Sequence, residues 1–392
     1  MTLPHSVPQL PPPDPDALSH CRQVRAHIQA EIERAGGWIS FARYMELALY
    51  APGLGYYAGG AAKFGAAGDF VTAPEMTPLF GRTLANAAEA VLLASGGDIL
   101  ELGAGSGRLA LDLLRELEGR QVLPALYRIL EVSPDLQQRQ RALFAAEAPH
   151  LLDRLVWLAQ LPAQFSGLML ANEVLDAMPV HLVHWRAGAV FERGVVCRDG
   201  EFAWQERPLS AGPLWQAAKA LNPGADYLSE INLAAPAWIG SLAQCLQHGV
   251  MLCIDYGFPR AEYYHPQRDS GTLRVHYRHH SLDDPFYLPG LCDLTAHVDF
   301  SAVAEAAAGS GLDMLGYTSQ ANFLLNAGLL DLMAEMEPMS RDYLRAAAAL
   351  QQLLQPSEMG ELFKVIAFGR GVASELPGGL PGFTRGDRRG AL

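Results

Sequence analysis

From residue 98 onward the chain alternates between short apolar runs and longer stretches in which apolar positions recur every three to four residues. The short runs stand at 98–102, 126–131, 155–159, 167–171, 250–255, 313–318 and 362–368, and read as buried strands. Amphipathic stretches separate the first three runs. Others lie at 236–248 and 299–310 and continue to about residue 354, and these predict helices. Strand and helix in alternation predict an α/β domain over 98–372. Ahead of it, 17–97 reads as a helical segment. Its first helix ends at Gly36-Gly37, its second is capped by Ser40 and runs to Tyr50, and its third covers about 78–94. Two stretches break the alternation. Residues 181–185, 190–197 and 201–205, joined by turns at Arg186-Ala187-Gly188 and Asp199-Gly200, read as a β-ribbon within an insertion over about 180–234. Residues 258–298 keep neither period and read as a largely irregular insertion of functional character. The proline-rich lead 1–16 and the Gly/Pro/Arg-rich tail 375–392 read as disordered.

The first strand runs directly into Gly103-Ala104-Gly105-Ser106-Gly107-Arg108, and a helical pattern starts at once. Strand, glycine-rich turn and helix together open a nucleotide-type site. Spacing selects among ligands. A dinucleotide fingerprint places its third glycine at position 108, where this chain has Arg. The pattern Glu101-x-Gly103-x-Gly105-x-Gly107 instead resembles motif I of class I S-adenosylmethionine (SAM) methyltransferases. Glu131 ends the second strand, 24 residues after Gly107, where an acid is placed to bind a ribose diol; a cap for the next helix is the competing reading.

Composition narrows the classes. A net charge of −13 argues against nucleic-acid binding, which needs clustered Lys and Arg. The five cysteines form no Cys-x-x-Cys pair, so neither a disulfide framework nor a cysteine-based zinc site is expected, and a reducing cytoplasm fits. His279-His280 are adjacent rather than at metal-ligand spacing, so no metal is expected. No secretory or Arg-rich leader is read in residues 1–15, and no apolar run reaches membrane-spanning length.

Longer strings are more particular. They are Tyr56-Tyr57; Gly68-Asp69-Phe70-Val71-Thr72-Ala73-Pro74-Glu75; Glu131-Val132-Ser133-Pro134; Asn172-Glu173-Val174-Leu175-Asp176-Ala177-Met178-Pro179; Asp255-Tyr256-Gly257; and Thr295-Ala296-His297-Val298-Asp299-Phe300. Together they resemble the MidA family of class I SAM-dependent methyltransferases, bacterial relatives of the mitochondrial complex I assembly arginine methyltransferase. The resemblance spans about residues 36 to 370. It implies a Rossmann-like seven-stranded sheet with an antiparallel last strand, SAM as cofactor, and symmetric dimethylation of an arginine in a protein substrate such as a respiratory complex subunit. A small-molecule methyltransferase and a non-catalytic SAM-binding assembly factor are the alternatives.

Methyl transfer to a guanidinium calls for carboxylates that grip the group and localise its electrons. Glu173 ends the fourth strand with Asp176 one helical turn on, so the two acids form a candidate catalytic pair; Asp176 as a helix cap is the competing reading. Asp255, ending the fifth strand, is a further pocket candidate, unless Gly257 simply terminates the strand; His297 is a candidate base or orienting group, with a satisfied structural histidine as the competing reading. Candidate cofactor residues are Glu101, Gly103, Gly105, Gly107, Glu131, Asn172, Asp69 and Thr72, the last two with Glu75 in a flap ahead of the sheet. Trp185, Phe202 and Trp204 on the ribbon read as core or interface.

Overall fold

The computed structural model describes residues 10–59, 72–224 and 226–392. The seven apolar runs form strands β1 (Asp98–Leu102), β2 (Tyr127–Leu130), β3 (Leu155–Leu158), β4 (Phe165–Asn172), β5 (Leu246–Phe258), β6 (Asp313–Ser319) and β7 (Phe363–Arg370). They pair in the order β6-β7-β5-β4-β1-β2-β3. Pairing is parallel from β5 through β3. β7 runs antiparallel to both neighbours, as the resemblance implies. The path reverses between β1 and β4, and in such sheets ligands lie beyond the carboxyl ends of strands at that reversal.

Both faces of the sheet are covered, which is why its strands read as continuous apolar runs. Ile99, Leu168 and Leu252 face helices Pro78–Ser95, Arg108–Gly119 and Arg341–Leu354. Leu100, Met169 and Met251 face helices Ala234–Cys245 and Phe300–Gly309 on the other side. A third core joins the N-terminal helices Pro15–Arg34 and Phe41–Tyr50 to the ribbon, with Phe41, Tyr44 and Phe202 inside it. Trp185 is buried in a smaller cluster with Tyr227 and Leu214. Ser40 caps the second helix by accepting from the Arg43 amide at 3.2 Å, as its position in the sequence predicts. No helix among the described residues is long and apolar enough to cross a membrane.

Three expectations change. Residues 258–298 are less irregular than expected: within their turns, Arg274–Tyr277, His280–Leu282 and Asp293–Thr295 form a three-stranded antiparallel sheet. Strands of three or four residues are too short to display a period. The tail is ordered. Leu376, Leu380 and Phe383 are buried against the main core. Beyond them, the Arg388 amide donates to Tyr317 O at 2.6 Å and the Tyr317 amide to Asp387 Oδ1 at 3.3 Å, covering the outer edge of β6. In the lead, the first helix starts at Pro15 behind an Asp14 cap, and Tyr277 Oη donates to Pro11 O at 3.2 Å.

Candidate functional site

Three sharp turns meet at the carboxyl ends of β1, β2 and β4. After β1, Gly103, Gly105 and Gly107 hold φ of 71°, 53° and 86°, left-handed conformations that glycine adopts without steric cost. Gln140 braces this turn from behind. Its Nε2 donates to Gly105 O at 2.9 Å and its Oε1 accepts from Trp157 Nε1 at 2.8 Å. After β2, Glu131 folds back on its own chain, and its Oε1 accepts from the Ser133 amide at 2.9 Å. After β4, Asn172 Nδ2 donates to Glu173 Oε1 at 3.2 Å, and Glu173 itself stands at φ 54°. That conformation is costly for a glutamate and must be held by its surroundings.

Asp255 supplies much of the hold. Its carboxylate is fully buried. Oδ2 accepts from the amides of Val174, Leu175 and Asp176 at 3.1, 2.8 and 3.3 Å, and Oδ1 from the Tyr256 amide at 2.9 Å. The Glu173 amide donates to Ile254 O at 2.9 Å. The end of β5 therefore shapes the turn that carries Glu173 and Asp176.

The turns enclose a cavity of about 350 Å³. Glu101, Glu131, Glu173 and Asp176 line it together with Gly103, Gly105, Asn172 and Thr72. No Lys, Arg or His is among its described lining residues. Leu102, Leu130, Val132, Leu136 and Trp238 give it an apolar side, and Tyr50 and Tyr57 reach it from the N-terminal segment.

Crowding acids in a buried space raises their pKa values. Burial, then the nearby Asp176, pushes Glu173 up to about 8 against the Asn172 hydrogen bond. Burial pushes Asp176 up to about 6 against the neighbouring Tyr256 hydroxyl. Burial pushes Glu101 up to about 7, although Tyr127 Oη donates to it at 2.9 Å. Asn172 Oδ1 and Asp176 Oδ1 are buried acceptors with no donor among the described residues. Unmet acceptors beside protonatable acids make a site suited to a cationic donor group.

Sequence and structure part at several residues. Asp255 does not line the cavity; it is spent on the backbone of the 173–176 turn. His297 also lies elsewhere, on a second cavity of about 460 Å³ shared with Arg260, Tyr264 and Asp299. Its ring packs against Tyr256 and Phe258 at 5.2 and 5.1 Å, and burial pushes it down to about 4, so it is neutral at pH 7. Gly107 caps helix Arg108–Gly119 behind the cavity, and Glu75 accepts from Ser106 Oγ, tying the short helix Ala73–Met76 to the glycine turn. Asp69 lies outside the described residues. Tyr50 and Trp238 escaped sequence reasoning, because nothing in their local pattern reports that distant elements fold over the strand ends. Tyr57 carried one signal, its place in the Tyr56-Tyr57 string.

SAM has two cationic centres, a ribose diol and an adenine ring. Carboxyls, unmet acceptors, a close-approach glycine turn and an apolar wall fit that set. Comparison with known proteins agrees. Residues 79–318 match the model of a family of S-adenosyl-L-methionine-dependent methyltransferases. A crystal structure of a Burkholderia thailandensis protein bound to S-adenosyl-homocysteine is 49% identical, with a TM-score of 0.94 over 98% of this chain and 100% of that one. The Drosophila melanogaster protein arginine methyltransferase NDUFAF7 homolog, mitochondrial, is 30% identical over 93% of this chain and 90% of its own. The Danio rerio protein arginine methyltransferase NDUFAF7, mitochondrial, is 29% identical over 88% and 86%. With this sheet, this cavity and these relatives, the chain belongs to the MidA-like family of class I SAM-dependent methyltransferases.

Proposed function

We propose that this methyltransferase modifies a nitrogen of an arginine side chain in a polypeptide, with Glu173 and Asp176 gripping the guanidinium. The carrying observation is the pair of carboxyls on one turn at the end of β4, Glu173 half-buried and Asp176 buried, where Asp176 Oδ1 has no donor among the described residues and the described lining holds no competing cation. A guanidinium offers a planar fork of N–H donors that matches such acceptors. Its entry supplies the positive charge that lets Glu173 and Asp176 ionise in a buried site. An ionised pair localises the guanidinium electrons and leaves an acceptor for the proton that nitrogen releases on methylation. The cofactor, when bound, supplies an electrophilic methyl group on a sulfonium.

Glu131 would hold the ribose diol, the turn at Gly103, Gly105 and Gly107 would admit the cofactor closely, and Glu101, Asn172 and Thr72 would complete its contacts. Asp255 positions the acid pair through the backbone. The names of the relatives, protein arginine methyltransferases, support a polypeptide acceptor. The resemblance makes a respiratory-complex subunit the first target to try.

The test is to incubate purified protein with methyl-labelled SAM and extract from cells lacking its gene, then locate the label by mass spectrometry. Label on arginine nitrogens of one or a few proteins is expected. Label confined to lysine, to carboxyl groups or to small metabolites would overturn the reading.

A further inference from the structure

We infer that Tyr50 and Tyr57 form an aromatic wall that lies against the plane of the acceptor guanidinium and makes the site select arginine over lysine. The inference rests on the proposed arginine acceptor and adds the residues that discriminate. Both rings line the cavity that holds Glu173 and Asp176. They stack on each other with centroids 5.5 Å apart and planes 20° apart, so each keeps only its outer face and edge for other contacts.

Their hydroxyl protons are already committed. Tyr50 Oη donates to Ala177 O at 2.9 Å, next to Asp176, and Tyr57 Oη donates to both carboxylate oxygens of the buried Asp293 at 3.0 Å. Tyr56 packs edge-on against Tyr57 at 5.0 Å. Both hydroxyl donors are thus used within the protein, which leaves ring carbon surface as what the two residues can offer a bound group. Burial keeps both phenols neutral.

A guanidinium held at its edge by carboxylates leaves its two faces free, and a ring face is a favourable partner for that flat, weakly hydrated cation. A lysine ammonium is compact and strongly hydrated. It would lose water to the apolar wall and gain no stacked contact.

The test uses two degenerate peptide pools, one with a fixed central arginine and one with a fixed central lysine, and purified full-length protein with labelled SAM. Wild type should methylate the arginine pool and leave the lysine pool at background. Tyr50→Leu and Tyr57→Leu should each raise KM for the arginine pool about tenfold or more, with kcat and SAM affinity changed less than about threefold. Tyr50→Phe and Tyr57→Phe keep the ring and should stay near the wild-type KM. If a leucine variant no longer binds SAM, the Met variant of similar bulk takes its place with the same expectation. Leucine or methionine variants with a wild-type KM would overturn the wall. So would phenylalanine variants as impaired as the leucine ones, since the hydroxyl anchors would then be what matters. Wild-type methylation of both pools would overturn the selectivity and spare the arginine reading. Methylation of neither would overturn the arginine reading and the wall with it.

Discussion

Glu173 combines two unusual features in one residue. It carries a strained backbone and a carboxyl pushed up to about 8. If Glu173 grips the acceptor as proposed, it must do so ionised, so kcat/KM, which reports the free enzyme, should rise with pH and level off above about 8. A profile that levels off below pH 6 would mean that Glu173 is already charged in the free enzyme. Asp255 predicts a different outcome. Asp255→Ala leaves three turn amides and one β5 amide without their acceptor. Each buried unmet donor costs about 1–3 kcal/mol, so denaturant unfolding should show a loss of at least about 3 kcal/mol, with methylation lost as well. A fold of unchanged stability would show that the turn holds itself. The glycine turn, Glu131, Glu173 and Asp176 were legible because each sits at the end of a strand that announces itself locally. Asp255 sits at such an end too, but which way its side chain turns depends on the pairing of β4 with β5, which no single stretch of sequence encodes.

At the scale of elements, legibility followed length. The seven sheet strands and their covering helices fall within a few residues of the apolar runs that predict them, because both faces of the sheet are buried. The three short strands between residues 274 and 295 were missed, since only Val275, Tyr277 and a few neighbours turn inward. The tail was misread because its Gly and Pro content outweighed three separated apolar residues. Those residues now make a prediction. Deleting 375–392 exposes core that Leu376, Leu380 and Phe383 cover, each worth about 1.5–3 kcal/mol, and uncovers the edge of β6. The truncated protein should melt several degrees lower and aggregate at concentrations where the full chain stays monodisperse. An unchanged melting temperature would mean that the tail contributes nothing.

Over the whole molecule, buried acids set the response to pH. Glu101 and Glu173 have folded pKa values of about 7 and about 8, raised above the value of 4.5 for a free glutamate. A raised acid stabilises the fold fully below its unfolded pKa, and that contribution is lost as pH climbs through the folded value. The lowered acids, such as Glu31 and Glu147, have finished titrating by about pH 6.5; the lowered His297, whose unfolded value is 6.5, still adds a little stability up to about pH 7.5 and is outweighed by the two glutamates. From pH 6.5 to 8 the free protein should therefore lose stability, by a few degrees in calorimetry, and bound SAM should reduce the loss by offering positive charge to the cavity. A flat or rising melting temperature over that range would place these acids in a more solvated setting.

The central claim is that Glu173 acts on the acceptor and not on the cofactor. Glu173→Gln keeps the shape and removes the charge. Calorimetric SAM affinity and the rate of arginine methylation should be measured on the same preparation. The account predicts affinity within about threefold of wild type and a rate lower by about 10²–10³, the usual cost of losing one transition-state electrostatic contact. A variant that methylates at the wild-type rate, or that loses SAM and activity together, would contradict it.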